Sequence, residues 1–129
     1  VLQNLKYQPL YLGFNQLSER MAIAALRDKK YYEGVVESVD HLRQDLYDFV
    51  KDKLFLMCPF KSYANFMLVE FPLNLKDQLQ DFLQSQQVFV RFYSVDGLKN
   101  KMRITIGKAI HINRLKEVLL EFNRKYENI

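Results

Sequence analysis

The sequence is poor in the residues from which many small functional sites are built. A single cysteine, Cys58, excludes a disulfide framework and any cysteine-based zinc site within the chain. With four glycines and three prolines, the chain contains no glycine-rich phosphate loop, neither G-x-G-x-x-G nor G-x-x-x-x-G-K-[ST]. The motifs H-E-x-x-H and G-x-S-x-G are also missing. We therefore expect no metal site, and charge and periodicity become the informative features.

Long hydrophobic runs are missing as well. No run approaches the roughly 18 apolar residues that a membrane span requires, and no basic, apolar leader opens the chain. These two observations favour a cytoplasmic protein with no membrane partner. The 129 residues are 49% hydrophobic and 26% charged, with ten Phe and eight Tyr. That composition predicts a single globular domain with a substantial core rather than a disordered chain.

Positive charge is concentrated in one segment. Residues 88–116 carry seven Lys or Arg and one Asp, a balance of +6, whereas the rest of the chain carries −2. Such a region is suited to an anionic partner. A solvated face, with lysines that protect a strand edge from pairing, is the alternative. The seven cations are Arg91, Lys99, Lys101, Arg103, Lys108, Arg114 and Lys116.

Apolar spacing predicts helices and strands in mixed order. The pattern is an extended lead-in over 1–16, two helices, two strands, a helix, a hairpin of two strands and a closing helix. This order predicts an α+β fold, with a small antiparallel or mixed sheet of three to four strands and helices packed on one face. The interpretation places helices at 17–28, 31–53, 75–85 (capped by Asn74) and from about 111, strands at 54–58, 64–71, 88–93 and 101–106, and a buried thiol at Cys58.

Two arginines lie inside predicted strands. The period of two places Arg91 on a face with Phe89 and Tyr93, and Arg103 on a face with Lys101 and Thr105. A hairpin makes the two strands neighbours, so the arginines can share one face. A guanidinium presents a planar fork that matches a carboxylate or a phosphate. Anion binding and a surface arginine paired to a helix carboxylate both remain open.

Several motifs in sequence order resemble one enzyme family. Together they are similar to the C-terminal small domain of histidinol-phosphate aminotransferase, a fold-type I enzyme dependent on pyridoxal phosphate. The resemblance covers nearly the whole chain in the family's order and spacing. The motifs are residues 13–26 (GFNQLSERMAIAAL), 62–71 (SYANFMLVEF), 88–93 (VFVRFY), 97–107 (GLKNKMRITIG) and 113–119 (NRLKEVL).

The resemblance implies a role for the chain and for three of its residues. Arg103 matches the arginine that binds the anionic end of the substrate across the superfamily, and Arg91 matches the additional arginine that binds the substrate phosphate. Asn65 matches a family position for which we expect a structural role. Residues 17–129 would form the small domain, and residues 1–16 would lead in from a large domain.

The same resemblance implies that the reaction is completed outside this chain. The large domain would bind pyridoxal phosphate and carry the Schiff-base lysine, so we expect no catalytic or cofactor-binding residue here and no activity from the chain alone. The whole protein would be a cytoplasmic homodimer of histidine biosynthesis. It would transfer an amino group between a phosphorylated amine and a 2-oxo acid.

The sequence also departs from the family pattern and leaves alternatives. After Gly107 the family usually has Thr and then acidic residues, whereas this chain has 108–111 (KAIH), which makes the rim of the site more positive. A related decarboxylase acting on a phosphorylated amino acid shares much of the pattern. A nucleic-acid-binding or regulatory α+β module is the other alternative, with Phe89, Phe92 and Tyr93 as its stacking platform.

Overall fold

A computed structural model describes residues 15–126 of the chain. Its contacts divide the chain into two units, Val1–Val35 and Val36–Ile129. The first unit contains helix α1 (Gln16–Arg27) and the beginning of helix α2 (Lys29–Lys53). Helix α1 begins where the Asn15 side chain accepts a hydrogen bond of 2.8 Å from the backbone N–H of Leu17, an N-cap that satisfies a free helix donor. Apart from residues 15 and 16, the predicted lead-in lies outside the described residues.

The second unit is a four-stranded antiparallel sheet with helices. The strands lie in the order β1-β2-β4-β3, and every neighbouring pair is antiparallel. The predicted α+β fold, the order of its helices and strands, and the hairpin of the last two strands are confirmed. After α2 the elements are β1 (Cys58–Pro59), β2 (Phe66–Glu70), α3 (Lys76–Ser85), β3 (Arg91–Phe92), β4 (Lys101–Thr105) and α4 (Ala109–Tyr126).

Alternation along the two central strands directs one face of the sheet into the core. Met67 and Val69 of β2 and Met102 and Ile104 of β4 are almost completely buried. Helices of this unit supply the facing side chains, and burying each large apolar side chain contributes about 1.5–3 kcal/mol. None of the described helices has the length and hydropathy needed to cross a membrane. The helical part of the core consists of Leu46, Val50, Leu75, Leu79, Leu83, Ile112, Leu115, Val118, Leu119 and Phe122.

The first strand is shorter and later than predicted. It comprises Cys58–Pro59 rather than 54–58, because the chain turns after α2 and the backbone N–H of Leu54 still bonds to the carbonyl of Val50. The prediction of a buried Cys58 thiol is wrong. Met57 faces the core, so the next residue faces the other way, and Cys58 is exposed opposite Glu70.

Helix α3 lacks the predicted asparagine cap. Residues Leu73–Leu75 form a 3₁₀ turn, and the α-helix begins at Lys76 without a side-chain cap. Pro72 explains the difference, because its carbonyl accepts the N–H of Leu75 at 2.9 Å and closes the turn through Asn74. The predicted Asn74 cap is therefore wrong, although Leu75 is buried as expected.

The third strand pairs over two residues only, instead of the six predicted. The backbone N–H of Val88 bonds to the carbonyl of Leu83 at 2.9 Å, so the start of the predicted strand is used to end α3. Gln87 has a φ of 57°, in the left-handed region, which turns the chain out of the helix. The chain joins β4 only at Arg91 and Phe92.

Candidate anion-binding site

The two strand arginines lie directly opposite each other on the sheet face that points away from the core. The register pairs Arg91 of β3 with Arg103 of β4, and Arg103 with Leu68 of β2. Both arginine side chains are exposed, while Met102 and Ile104, which flank Arg103 in β4, are buried. The prediction that the two arginines share one face of adjacent strands is confirmed.

Most cations of the basic segment are neutralised by carboxylates, but the arginine pair is not. Four of its seven cations form ion pairs, namely Lys99, Lys101, Arg114 and Lys116. Within residues 15–126, no carboxylate oxygen lies within 4.0 Å of a side-chain nitrogen of Arg91, Arg103 or Lys108. The positive charge left over is therefore located on the open face of the sheet and just after β4.

Placing two arginines directly opposite each other has an energetic cost. Like charges at opposed strand positions destabilise a sheet by a few tenths to about 1 kcal/mol. An anion bound between the two guanidinium groups would replace this repulsion by attraction, because each guanidinium could then donate charge-assisted hydrogen bonds to it. The arrangement therefore suits a bound dianion such as a phosphate, and the alternative of arginines paired to a helix carboxylate finds no support in the described residues.

Arg103 lies over an aromatic ring, whereas no described ring takes that position for Arg91. The guanidinium carbon of Arg103 is 5.5 Å from the centroid of Phe66 in β2, within the range of a cation–π contact. The register places Phe66 opposite Thr105, so ring and guanidinium are diagonal neighbours on the open face. The sequence reasoning missed this role of Phe66, because finding a diagonal neighbour requires the register of β2 against β4.

A polar cluster borders the arginines on the side of the β3–β4 connection. Lys101 Nζ lies 3.6 Å from Glu70 Oε2, and the Asn100 amide donates to Glu70 Oε1 at 3.0 Å. Lys101 also donates to the carbonyl of Gly97 at 3.1 Å and lies 5.7 Å from the Phe60 ring centroid. Its charge is thus shared among several acceptors and is less available to a ligand than the charge of the arginines.

Asn65 and the two histidines of the chain, His41 and His111, lie outside the arginine pair. Asn65 has an exposed side chain, and its carbonyl accepts the N–H of Ile106 at 2.8 Å, a backbone contact that leaves the structural role expected for the asparagine a prediction. His41 and His111 are exposed. Within the described ranges no three His, Cys, Asp or Glu side chains are grouped as metal ligands would be. A groove of about 330 Å³ between residues 87–90 and the start of α4 is lined by Arg114 but by neither Arg91 nor Arg103.

Comparison with curated proteins finds similar sequences among the histidinol-phosphate aminotransferases. The chain is 35% identical over 105 residues to histidinol-phosphate aminotransferase 1, chloroplastic, of Arabidopsis thaliana, which covers 81% of this chain and 25% of that protein. It is 30% identical over 109 residues to histidinol-phosphate aminotransferase of Microcystis aeruginosa, which covers 84% of this chain and 31% of that protein. No protein-family model matches the chain.

A solved structure shares the fold. The crystal structure of histidinol-phosphate aminotransferase from Sinorhizobium meliloti, in complex with pyridoxal-5'-phosphate, superposes with a TM-score of 0.71 at 27% identity. The match covers 81% of this chain and 28% of that one. The resemblance predicted from the motifs is confirmed. The chain spans between a quarter and a third of the length of the relatives it matches.

Proposed function

The chain is homologous to a segment of histidinol-phosphate aminotransferase, and on that premise we propose that the whole protein is an aminotransferase dependent on pyridoxal phosphate. Its reaction moves the amino group of a phosphorylated amine, of the histidinol-phosphate type, to a 2-oxo acid. The chain described above acts as the small domain of this enzyme. Because it spans only part of its relatives, the rest of the activity belongs to sequence outside it.

The observation that carries the proposal is the opposed pair Arg91 and Arg103 without a carboxylate partner among the described residues. A phosphate dianion has three outer oxygens and can accept two guanidinium forks at once, whereas a carboxylate is satisfied by one. Two forks on one sheet face therefore match a phosphorylated substrate better than an unphosphorylated one. We assign substrate binding to these two residues.

We propose that pyridoxal phosphate is bound by sequence outside this chain, which spans only 25% of its relative from Arabidopsis thaliana. A site for this cofactor needs a lysine that forms a Schiff base and an acidic partner for the pyridine nitrogen. Here Lys101 is paired with Glu70, Lys116 with Asp45, and Lys76 donates to the carbonyl of Tyr93. When bound, the cofactor supplies an electron sink for the amine carbon.

The role of this chain is to bind and orient the substrate. Holding the phosphate between Arg91 and Arg103 fixes one end of the amine, so that its reacting end has fewer orientations to search. Because β4 packs on a helical core through Met102 and Ile104 and β3 pairs with β4, the two strands form a common support for the two guanidinium groups. We also propose that the whole protein is a homodimer in the cytoplasm, whereas the relative from Arabidopsis thaliana is named as chloroplastic.

Two alternatives from the sequence are less well supported. The similar proteins are named aminotransferases, which favours that reaction over the related decarboxylation. The nucleic-acid module required Phe89, Phe92 and Tyr93 as a common stacking platform. Phe92 instead packs edge-on against Phe71 at 5.6 Å between ring centroids, next to the core, so it is not available to stack on a base.

The experiment that tests the proposal is an amino-transfer assay of the full-length protein with pyridoxal phosphate. We expect turnover of histidinol phosphate with a 2-oxo acid, and much slower turnover of unphosphorylated histidinol. Formation of carbon dioxide from a phosphorylated amino acid would favour the decarboxylase. Equal turnover of the phosphorylated and unphosphorylated amines would contradict the assignment of the arginine pair.

A further inference from the structure

We propose that Phe66 is a positioning residue for Arg103, whose guanidinium group it holds ready for the anion. The inference rests on the proposed function, because it assigns a determinant of affinity to the same site. It follows from three features of the structure, which are the contact between the two side chains, the anchoring of the Phe66 backbone and the difference between the two arginines.

The contact joins two strands across the open face. The guanidinium carbon of Arg103 is 5.5 Å from the Phe66 ring centroid. In the register, Leu68 is opposite Arg103 and Phe66 is opposite Thr105, and aromatic side chains reach a diagonal neighbour of this kind. The ring is half-buried and the arginine is exposed, so the ring forms a floor under the guanidinium.

The backbone that carries the ring is fixed from several directions. Ser62 Oγ donates to the carbonyl of Phe66 at 2.6 Å and accepts the N–H of Ala64 at 3.1 Å. Arg43 of α2, itself largely buried, donates to the carbonyl of Ala64 at 3.0 Å. The carbonyl of Asn65 accepts the N–H of Ile106, the residue that follows β4. The segment that precedes Phe66 is therefore held against both a helix and the neighbouring strand, and the ring has a defined position.

The two arginines differ in this support. Within the described part of the chain, the cation–π contacts include Arg103 but not Arg91. An exposed arginine has many rotamers, and ordering them on binding reduces affinity. A ring beneath the guanidinium favours one orientation before the anion arrives. Phe66 thus makes Arg103 the preorganised member of the pair, while Arg91 is ordered on binding.

The test uses inorganic phosphate as a competitive inhibitor of the full-length enzyme. Phe66→Leu should raise the inhibition constant of phosphate and the KM for histidinol phosphate about two- to fivefold, the loss expected for an exposed cation–π contact. The kcat should be unchanged, because the contact is the same in the bound and transition states. Phe66→Tyr, which retains a ring face, should restore both constants.

Phe60→Leu is the matched control. The Phe60 ring lies 5.7 Å from the ammonium nitrogen of Lys101 and not beneath an arginine, so its removal should leave the phosphate constants unchanged. In an Arg103→Ala background, Phe66→Leu should have no further effect on phosphate inhibition, because the partner of the ring is gone. This cycle separates positioning from a general loss of folding.

The outcomes distinguish this inference from the proposed function. If Arg103→Ala itself leaves phosphate inhibition unchanged, the proposed anion site is wrong. If Arg103→Ala weakens inhibition but Phe66→Leu matches the Phe60→Leu control, only the positioning role is wrong. An equal loss in Phe66→Leu and Phe66→Tyr, or the same further loss in the Arg103→Ala background, would show that Phe66 serves the fold alone.

Discussion

Arg91 and Arg103 stand at opposed strand positions, and no carboxylate among the described residues compensates them. A sheet selected only for stability would place oppositely charged side chains at these two positions. Such a pair does occur between β2 and β4, where Glu70 is opposite Lys101. The repulsion is a cost that an anionic ligand removes. Stability and ligand affinity are therefore expected to change in opposite directions when one arginine is replaced.

Replacing Arg91 by a neutral polar residue tests whether the arginine pair lowers the stability of the sheet. In phosphate-free buffer of low ionic strength, Arg91→Gln should raise the free energy of unfolding by about 0.2–1 kcal/mol, because it removes a like-charge cross-strand pair. Urea denaturation measures the change. Lys108→Gln removes the same charge from outside the sheet and should give no comparable gain. A loss of stability in Arg91→Gln would mean that the arginine already has a stabilising partner.

Single residues differed in how well their surroundings could be predicted. The face shared by the two arginines follows from the period of two and the hairpin, and it was predicted. The exposure of Cys58 was not, because its neighbours in sequence are apolar while its direction depends on where a two-residue strand begins. The contact of Phe66 with Arg103 depends on a register that one strand alone does not reveal.

Helix α4 is fastened to the turn after α2 by one buried polar side chain. Asn123 is 1% exposed, and its Oδ1 accepts the backbone N–H of Leu56 at 3.1 Å. A buried backbone donor left without a partner costs about 1–3 kcal/mol. The contact therefore fixes the path of the chain between α2 and β1.

We expect Asn123→Ala to lower the free energy of unfolding by about 1–3 kcal/mol, the cost of leaving the N–H of Leu56 unpaired. Chemical denaturation measures it. Asn113→Ala is the control, since Asn113 is exposed on the same helix and should change stability by less than about 0.5 kcal/mol. Equal effects of the two substitutions would rule out the fastening role.

Two glycines, Gly97 and Gly34, allow the backbone conformation of a turn and of a helix to be tested. Gly97, in the β3–β4 connection, has a φ of 79°, whereas Gly34 lies within helix α2 with open space around its Cα. Gly97→Ala should destabilise by about 1–2 kcal/mol, the cost of a Cβ in the left-handed region. Gly34→Ala should stabilise by about 0.5–1 kcal/mol, because alanine favours the helix. Thermal unfolding of both variants measures the signs, and equal signs would contradict the backbone geometry described here.

The elements were predictable from periodicity, but their ends were set by neighbours. The long helix α2 and the closing helix α4 follow from their apolar stripes. The predicted strand 88–93 lost its first residues because Val88 bonds back to Leu83 and ends α3. The Asn74 cap failed because Pro72 begins a 3₁₀ turn. Both errors arise from hydrogen bonds that compete with the local preference.

At the scale of the whole molecule, the chain corresponds to a fraction of its relatives. It spans 25% of the Arabidopsis thaliana protein and 28% of the Sinorhizobium meliloti chain. Its described lysines include three held in ion pairs, namely Lys99, Lys101 and Lys116. Under the proposed function the open sheet face binds the substrate, and the reacting groups are expected elsewhere in the protein.

We therefore expect the isolated chain of 129 residues to form no specific covalent adduct with pyridoxal phosphate and to show no amino transfer. Borohydride reduction followed by mass spectrometry checks this. The full-length protein should carry one pyridoxyl group, on a lysine outside residues 1–129. A stoichiometric adduct at a single lysine of the isolated chain would contradict the proposal that the cofactor is bound outside residues 1–129.

The central claim is that Arg91 and Arg103 together bind a phosphate, and kcat/KM of arginine variants of the full-length enzyme tests it most directly. Arg103→Ala should reduce kcat/KM for every anionic substrate, both histidinol phosphate and an unphosphorylated amino acid, and Arg91→Ala should reduce it selectively for the phosphorylated amine. Loss of one charge-assisted contact costs about 2–5 kcal/mol, a factor of about 30 to several thousand. Lysine at either position should restore only part, because an ammonium lacks the planar fork. A reduction by the same factor for histidinol phosphate and for the unphosphorylated amino acid in Arg91→Ala would contradict the account and leave Arg91 as a structural residue of its strand.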